Sequence, residues 1–313
     1  MEIVHDPHDS FFKETFTDTT IVKSFLQNYL PEELLGIIDV EKLTPQKDSF
    51  IDEELKKSFS DLLVEVEIAG REGYVYFLFE HKSFPQRNII LQLMKYMAEI
   101  WETKMTKENT KLPITIPLVI YHGAQNWNIP MTLGELLDGF HDLSDKNQEY
   151  IPNYKYILYN LPTLDDAEII GEARLRITLM LLKYAHTDDA EKILRIFSNF
   201  KKALSVLNDP QLEKQFFIAC IIYVLSIRDD VTPEKISKNL SDEGRKIVMS
   251  VAEQLREEGK REGREEGRKE GEREKQFEIA KKMLQSGMED SQVIAFTGVS
   301  AEDVKQIKEE LFK

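Results

Sequence analysis

Two short runs of opposite parity constrain this chain more than any other feature. In residues 61–68 (DLLVEVEI) apolar side chains fall at Leu62, Val64, Val66 and Ile68, whereas in residues 74–82 (YVYFLFEHK) they include Val75, Phe77 and Phe79. A period of two marks strands that bury one face, and the intervening AGREG joins them as a hairpin. Directly opposed residues of an antiparallel pair project to the same side of the sheet, so both apolar sets reach one buried face only if opposed residue numbers add to an odd value. A register that meets this condition, with Gly70–Gly73 as the loop, sets Asp61 opposite Lys82 and Glu80 two residues along on the same face. Two carboxylates and an ammonium then meet at one strand end.

The flanking segments build a sheet around this hairpin. Residues 8–29 carry Phe11, Phe12, Phe16, Val22, Phe25, Leu26 and Tyr29 at helical spacing and stop before Pro31, which predicts a first helix. A short strand is expected around Phe50. Residues 86–108 hold Ile89, Ile90, Leu93, Met94, Met97 and Trp101 on one stripe, a helix that crosses the sheet. LPITIPLVIYHG is nearly continuous in apolar and β-branched residues and closes at Gly123, so it reads as a buried strand. The core order is therefore α, β, β, β, α, β. A further strand is expected over residues 154–160, and then three helices over 165–184, 188–206 and 211–227, each opened by an Asp-containing start signal.

From about Ser241 the composition shifts. Residues 257–274 are almost wholly Glu, Arg, Lys and Gly, with glycines at 259, 263, 267 and 271. Charge pairs at helical spacing support a helix that the glycines weaken by roughly 1 kcal/mol each. A solvated linker is the plainer reading; a close helix contact along the glycine stripe of an oligomer is the sharper one. The last 38 residues read as three short helices, with Gly287 and Gly298 as stops and Ser300 with Asp303 as a capping box, a pattern similar to a helix-turn-helix. The expected divisions are 1–162, 163–240, 241–275 and 276–313.

Composition narrows the class of partner. One cysteine, Cys220, makes no intramolecular disulfide and no thiolate zinc site, so a reducing compartment, the cytoplasm, is expected. The start has no basic and apolar leader pattern, and the longest strongly apolar run (216–227) has 12 residues, so neither secretion nor a membrane span is expected. The net charge of -15 opposes non-specific attraction to nucleic acid, and the acidic excess holds on both sides of residue 250. No phosphate-binding glycine loop, dinucleotide fingerprint or serine nucleophile elbow occurs.

Asp61, Glu80 and Lys82 have the chemistry of metal-assisted phosphodiester hydrolysis: hard oxygen ligands suit Mg2+, and a lysine can orient the attacking water or stabilise developing negative charge. The backbone carbonyl of His81 offers a further oxygen. The bland alternative is a turn-capping aspartate and a surface ion pair. His81 itself, by strand alternation, and His122 read as packed or hydrogen-bonded histidines; His5 and His8 with Asp6 and Asp9 make a weak candidate for a transition-metal site.

The segments HDSFFKETF (8–16), FSDLLVEVEI (59–68), YVYFLFEHKS (74–83), LQLMKYMAEIW (91–101) and IPLVIYHG (116–123) together resemble the recombination-promoting nuclease family, whose members are also labelled putative transposases. The resemblance spans roughly residues 5–230 and the charged tail. It implies an α/β fold similar to the PD-(D/E)XK nucleases, an αβββαβ core with a mixed sheet, a helical subdomain and a helical C-terminal tail. It also implies Asp61 as motif aspartate, Glu80 as motif acid and Lys82 as motif lysine, with Mg2+ as cofactor and Ser60 in place of the motif proline. Gln92 matches a Gln or Arg that many such nucleases keep near the site, and Asp9 and Lys13 match the opening motif without an assigned role. The expected activity is a Mg2+-dependent DNA endonuclease in recombination, mobile-element or phage-defence biology, with Lys13, Arg87 and Lys95 tempering the acidic field, and a homo-oligomer through the C-terminal helices. The rival is a non-catalytic DNA-binding or interaction protein assembled by its tail.

Overall fold

The computed structural model describes residues 6–46, 60–80, 85–105, 111–204 and 209–311. The chain divides into two compact units, residues 4–252 and residues 253–313. In the first, five strands form one mixed sheet in the order β1 (Ile38–Pro45), β2 (Ser60–Ile68), β3 (Arg71–Glu80), β4 (Ile114–Tyr121) and β5 (Ile157–Asn160). The first three are antiparallel neighbours and the last three are parallel. Helices of eight residues or more in this unit are α1 (Pro7–Phe16), α2 (Thr19–Tyr29), α3 (Ile89–Lys104), α4 (Ala173–Tyr184), α5 (Ala190–Leu204) and α6 (Pro210–Ile227).

The hairpin has odd-value pairing, yet its register differs from the expected one. Asp61 pairs with Leu78 and Ile68 with Arg71, so the loop is Ala69–Gly70 rather than Gly70–Gly73. Ala69 at φ 49 and Gly70 at φ 73 explain the choice, because a two-residue turn with positive φ at both positions follows the right-handed strand twist. Gly73 pairs into the strand opposite Val66, where Ile68 and the Ile114 carbonyl crowd its α-carbon and leave no room for a larger residue.

Strand alternation sorts the core into two layers. On one face Val64, Val66, Val75 and Phe77 are buried toward α1 and α2, with Phe77 5.7 Å from Phe25 and 6.2 Å from Phe16 between ring centroids. On the other, Leu63, Tyr74, Tyr76 and Leu78 pack with Ile89, Ile90, Leu93, Tyr96 and Ile100 of α3. Each aromatic pair adds about 0.5–1.5 kcal/mol beyond its buried area.

Several elements depart from the sequence pattern. The expected helix over 8–29 breaks into α1 and α2 because Asp18 caps the second helix, accepting a hydrogen bond from the Thr20 amide at 2.8 Å. The first strand lies at Ile38–Pro45, with a register shift between Asp39 and Thr44, and the residues around Phe50 lie outside the described residues. Pro117 sits inside β4, one residue before pairing with β5 begins at Leu118, where a missing amide donor is tolerated. The helix expected from 165 starts at Ala173; a 3-10 turn over Asp166–Glu168 and Gly171 at φ +110 come first. A Cβ at Gly171 would come 2.7 Å from Ser24 Oγ, which accepts the Glu172 amide at 2.8 Å, so glycine lets this segment close on α2.

Helix α6 is long and apolar enough by length and composition to cross a membrane. Its Phe216, Phe217, Cys220, Ile221, Tyr223 and Val224 are buried, and Tyr223 stacks on Phe11 of α1 at 4.3 Å. Helix α7 (Asp242–Gln285) takes up the glycine-rich segment without interruption. The second unit closes with α8 (Asp290–Thr297) and α9 (Ala301–Leu311); Val293, Val304 and Ile307 from these helices and Val299 from the joint between them pack with Ala280 and Leu284. Gly287 and Gly298 both have positive φ, and Ser300 and Asp303 make the reciprocal capping box, the Ser300 amide donating to Asp303 Oδ2 at 3.0 Å and the Asp303 amide to Ser300 Oγ at 3.0 Å.

Candidate nuclease site at the β2–β3 rim

Backbone register brings the two candidate carboxylate positions together. Asp61 opposes Leu78, and Glu80 lies two residues further along β3, so positions 61, 78 and 80 share the sheet face that α3 covers. Diagonal neighbours of this kind have α-carbons about 7–8 Å apart. On its other flank Glu80 pairs with Tyr121 of β4, which places position 80 at the C-terminal edge of the parallel part of the sheet. His81 and Lys82 lie outside the described residues. The register itself corrects one expectation: Leu78, not Lys82, faces Asp61.

Helix α3 runs back along this face in a ladder that can be followed contact by contact. Near its end Lys104 is 3.3 Å from Glu72 at the start of β3. Two turns earlier Tyr96 meets Tyr76 with ring centroids 5.1 Å apart. One more turn back is Gln92, on the sheet-facing stripe of Ile89, Leu93 and Tyr96, which sets it level with the Leu78–Glu80 end of β3. Gln92 is 8% exposed, and neither its Oε1 nor its Nε2 has a hydrogen-bond partner. A buried amide without partners costs about 1–3 kcal/mol, so its presence on an otherwise apolar stripe calls for a reason. Hard oxygen donors at the two carboxylate positions would suit a magnesium-like ion and not a soft thiophilic one.

The basic residues expected near the site divide between the two sides of the sheet. Arg87, just before α3, and Lys95, two turns into it, are exposed. Lys13 is on α1, which packs on the opposite face, and pairs there with Asp9 at 3.3 Å.

Sequence reasoning missed a second cluster. His8 of α1, His122 just after β4 and His186 just after α4 bring their rings together, with centroids 4.8, 5.1 and 5.2 Å apart. His122 is fully buried. The three are far apart in sequence, and the one signal that could have placed any of them is the parity of His122, in step with buried Leu118 and Ile120 on the α1 face.

The chain is a mixed α/β protein with a five-stranded sheet and a helical C-terminal unit, and comparison with known proteins narrows the class. Residues 6–212 match the family model described as putative transposase, YhgA-like, and residues 273–309 match the C-terminal HTH domain of the Rpn/YhgA-like nuclease family. The chain belongs to this family. It is 28% identical over 301 residues to recombination-promoting nuclease RpnA of Escherichia coli K12, covering 95% of this chain and 96% of the relative. It is also 28% identical over 302 residues to the inactive recombination-promoting nuclease-like protein RpnE of the same strain (95% and 96%), and 24% identical over 261 residues to recombination-promoting nuclease RpnD of Escherichia coli O157:H7 (80% and 95%). No solved structure matches the chain. The helix-turn-helix expected from the last helices is thus a family feature.

Proposed function

We propose that this chain is a metal-dependent DNA endonuclease of the PD-(D/E)XK type, in which Asp61 and Glu80 hold Mg2+ and Lys82 acts beside them. One observation carries the reading: the buried amide of Gln92, unpartnered in an apolar stripe, stands at the same end of the same sheet face as positions 61 and 80. Bound Mg2+ would polarise a phosphoryl oxygen and make coordinated water more acidic. The carboxylates of Asp61 and Glu80, with the backbone carbonyl of His81, supply the oxygen ligands. Gln92 can donate its amide N–H to a phosphate oxygen and accept from a water with its carbonyl, which would satisfy both groups in the substrate complex. Lys82 supplies a positive charge to orient the attacking water or to offset the charge that develops on phosphorus. Exposed Arg87, just before α3, and Lys95, within it, offset part of the net charge of -15 where a phosphate backbone would approach. A single cysteine supports the cytoplasm as its compartment.

The test is nicking of supercoiled plasmid by wild type, Asp61→Ala and Lys82→Ala with Mg2+ and with chelator. Cleavage that both substitutions and chelation abolish is the expected result; wild type that leaves plasmid intact across several divalent ions overturns the proposal.

A second reading is a non-catalytic interaction protein assembled through its tail. It is favoured by the surface of α9, where exposed Glu302, Glu309 and Glu310 outnumber exposed Lys305, an unfavourable face for a phosphate backbone. The inactive name of one relative at 28% identity points the same way. Plasmid left intact across several divalent ions, together with an assembly that light scattering shows lost on truncation after residue 252, would select it.

A further inference from the structure

We propose that His8, His122 and His186 form a transition-metal site, with Zn2+ as the ligand class, on the sheet face opposite the carboxylate pair. The ring nitrogens that could ligate all lie within 4.8 Å of one another. Tetrahedral zinc with Zn–N bonds of about 2.0–2.1 Å sets its nitrogens about 3.3 Å apart, so metal entry draws the three rings inward by small side-chain rotations. Three imidazoles are a ligand set that suits borderline cations and not Mg2+ or Ca2+. The rings also come from three separate elements: the first turn of α1, the residue after β4 and the joint that follows α4. No local sequence pattern forces them together, and the fold does.

The surroundings favour ligation over simple ring packing. Tyr223 of α6 places its hydroxyl 2.9 Å from His8 Nδ1. If Nδ1 carries the ring proton it donates to the tyrosine oxygen, which leaves the Nε2 lone pair for the metal, the arrangement in which an outer oxygen partner fixes the tautomer of a ligating histidine. Burial pushes the Tyr223 hydroxyl well above its ordinary range, with the Asp6 charge adding to the effect, so it stays a neutral partner. A cation at this point would tie α1 and the end of α4 to the end of β4, and thereby the α1 layer of the core to the strand that flanks Glu80.

Metal content and affinity of the full-length chain test this directly. Stripped protein is titrated with Zn2+ by calorimetry, and with Co2+ by visible absorption, for wild type, His122→Ala, His186→Ala, Tyr223→Phe and the pair Asp61→Ala with Glu80→Ala. We expect one zinc per chain, an intense tetrahedral cobalt spectrum, affinity lowered at least about 100-fold by either histidine change, about 10-fold by Tyr223→Phe, and retained in the carboxylate variant. Should His122→Ala fail to fold, the half-buried His186 and the Tyr223 variant carry the same comparison. Wild type that retains no zinc, a weak octahedral cobalt spectrum, or affinity that tracks the carboxylates and ignores the histidines would overturn the site.

Discussion

Asp61 stands directly opposite Leu78 and diagonal to Glu80, so the carboxylate positions share a face although the ladder is four residues away from the register that would oppose Asp61 to Lys82. Paired residues of an antiparallel ladder have α-carbons about 4.5–5.5 Å apart, within disulfide range. Asp61→Cys with Leu78→Cys should therefore crosslink readily under mild oxidation, while Asp61→Cys with Lys82→Cys should not. The native Cys220 is buried and does not compete. Mass spectrometry of oxidised digests reads the result, and crosslinking of the Lys82 pair alone would restore the alternative register.

Gln92 predicts an opposition between stability and activity. Replacing its unpartnered amide with an apolar side chain of similar length removes a desolvation cost of about 1–3 kcal/mol. Gln92→Leu should raise the midpoint of thermal or urea unfolding while lowering cleavage by about tenfold or more, as stored local cost at functional sites requires. A variant that is less stable and equally active would show that the amide has a structural partner in solution.

Much of this architecture was legible from residue pattern because strands and helices differ in period. The parity of Leu62 to Ile68 against Val75 to Phe79 fixed which faces of β2 and β3 are buried, and the Ile89, Leu93 stripe located α3. What stayed hidden was set by contacts distant in sequence. Parity allows any odd pairing value, and the turn decided among them through Ala69 accepting positive φ, a conformation its side chain does not advertise. Strand β1 has a bulged register and mostly half-exposed residues, so it lacks clean alternation. The histidine cluster was invisible for the same reason: three elements converge only after the sheet has been covered by α1 and α4.

Arg174 and Asp18 give a prediction with a defined pH dependence. Arg174 is 5% exposed, and its guanidinium lies 2.5 Å from Asp18 and 3.0 Å from Glu172. Burial pushes the Asp18 carboxyl up, but hydrogen bonds from Arg174 and the Thr20 amide outweigh it and hold the group below its ordinary value. A depressed folded-state pKa contributes stability that is present above about pH 4 and lost as pH falls through the lower folded value. Asp18→Asn keeps a helix-capping side chain and removes the charge. Because Asp18 is partly exposed, we expect a loss of about 1–2 kcal/mol at pH 7, less than for a fully buried pair. The gap between variant and wild type should narrow in urea unfolding as pH falls below about 4; a gap that is constant with pH would assign the effect to packing.

The glycines of α7 separate a solvated helix from an assembly surface. A Cβ built at Gly259, Gly263, Gly267 or Gly271 meets no atom within 4 Å, so within one chain nothing requires glycine there. Each glycine to alanine change should stabilise the helix by about 0.8–1 kcal/mol, seen as higher helicity by circular dichroism and slower amide exchange by about four- to fivefold per site. If the stripe instead seats a second helix in an assembly, an added methyl would force the backbones apart, and the same variants would lose mass in light scattering while gaining helicity. Four residues advance a helix by about 40° beyond a full turn, so the stripe winds around α7 and a straight partner could cover only part of it. We therefore expect unchanged mass together with increased helicity for Gly263→Ala and Gly267→Ala, the two central positions where any crossing helix would have to pass.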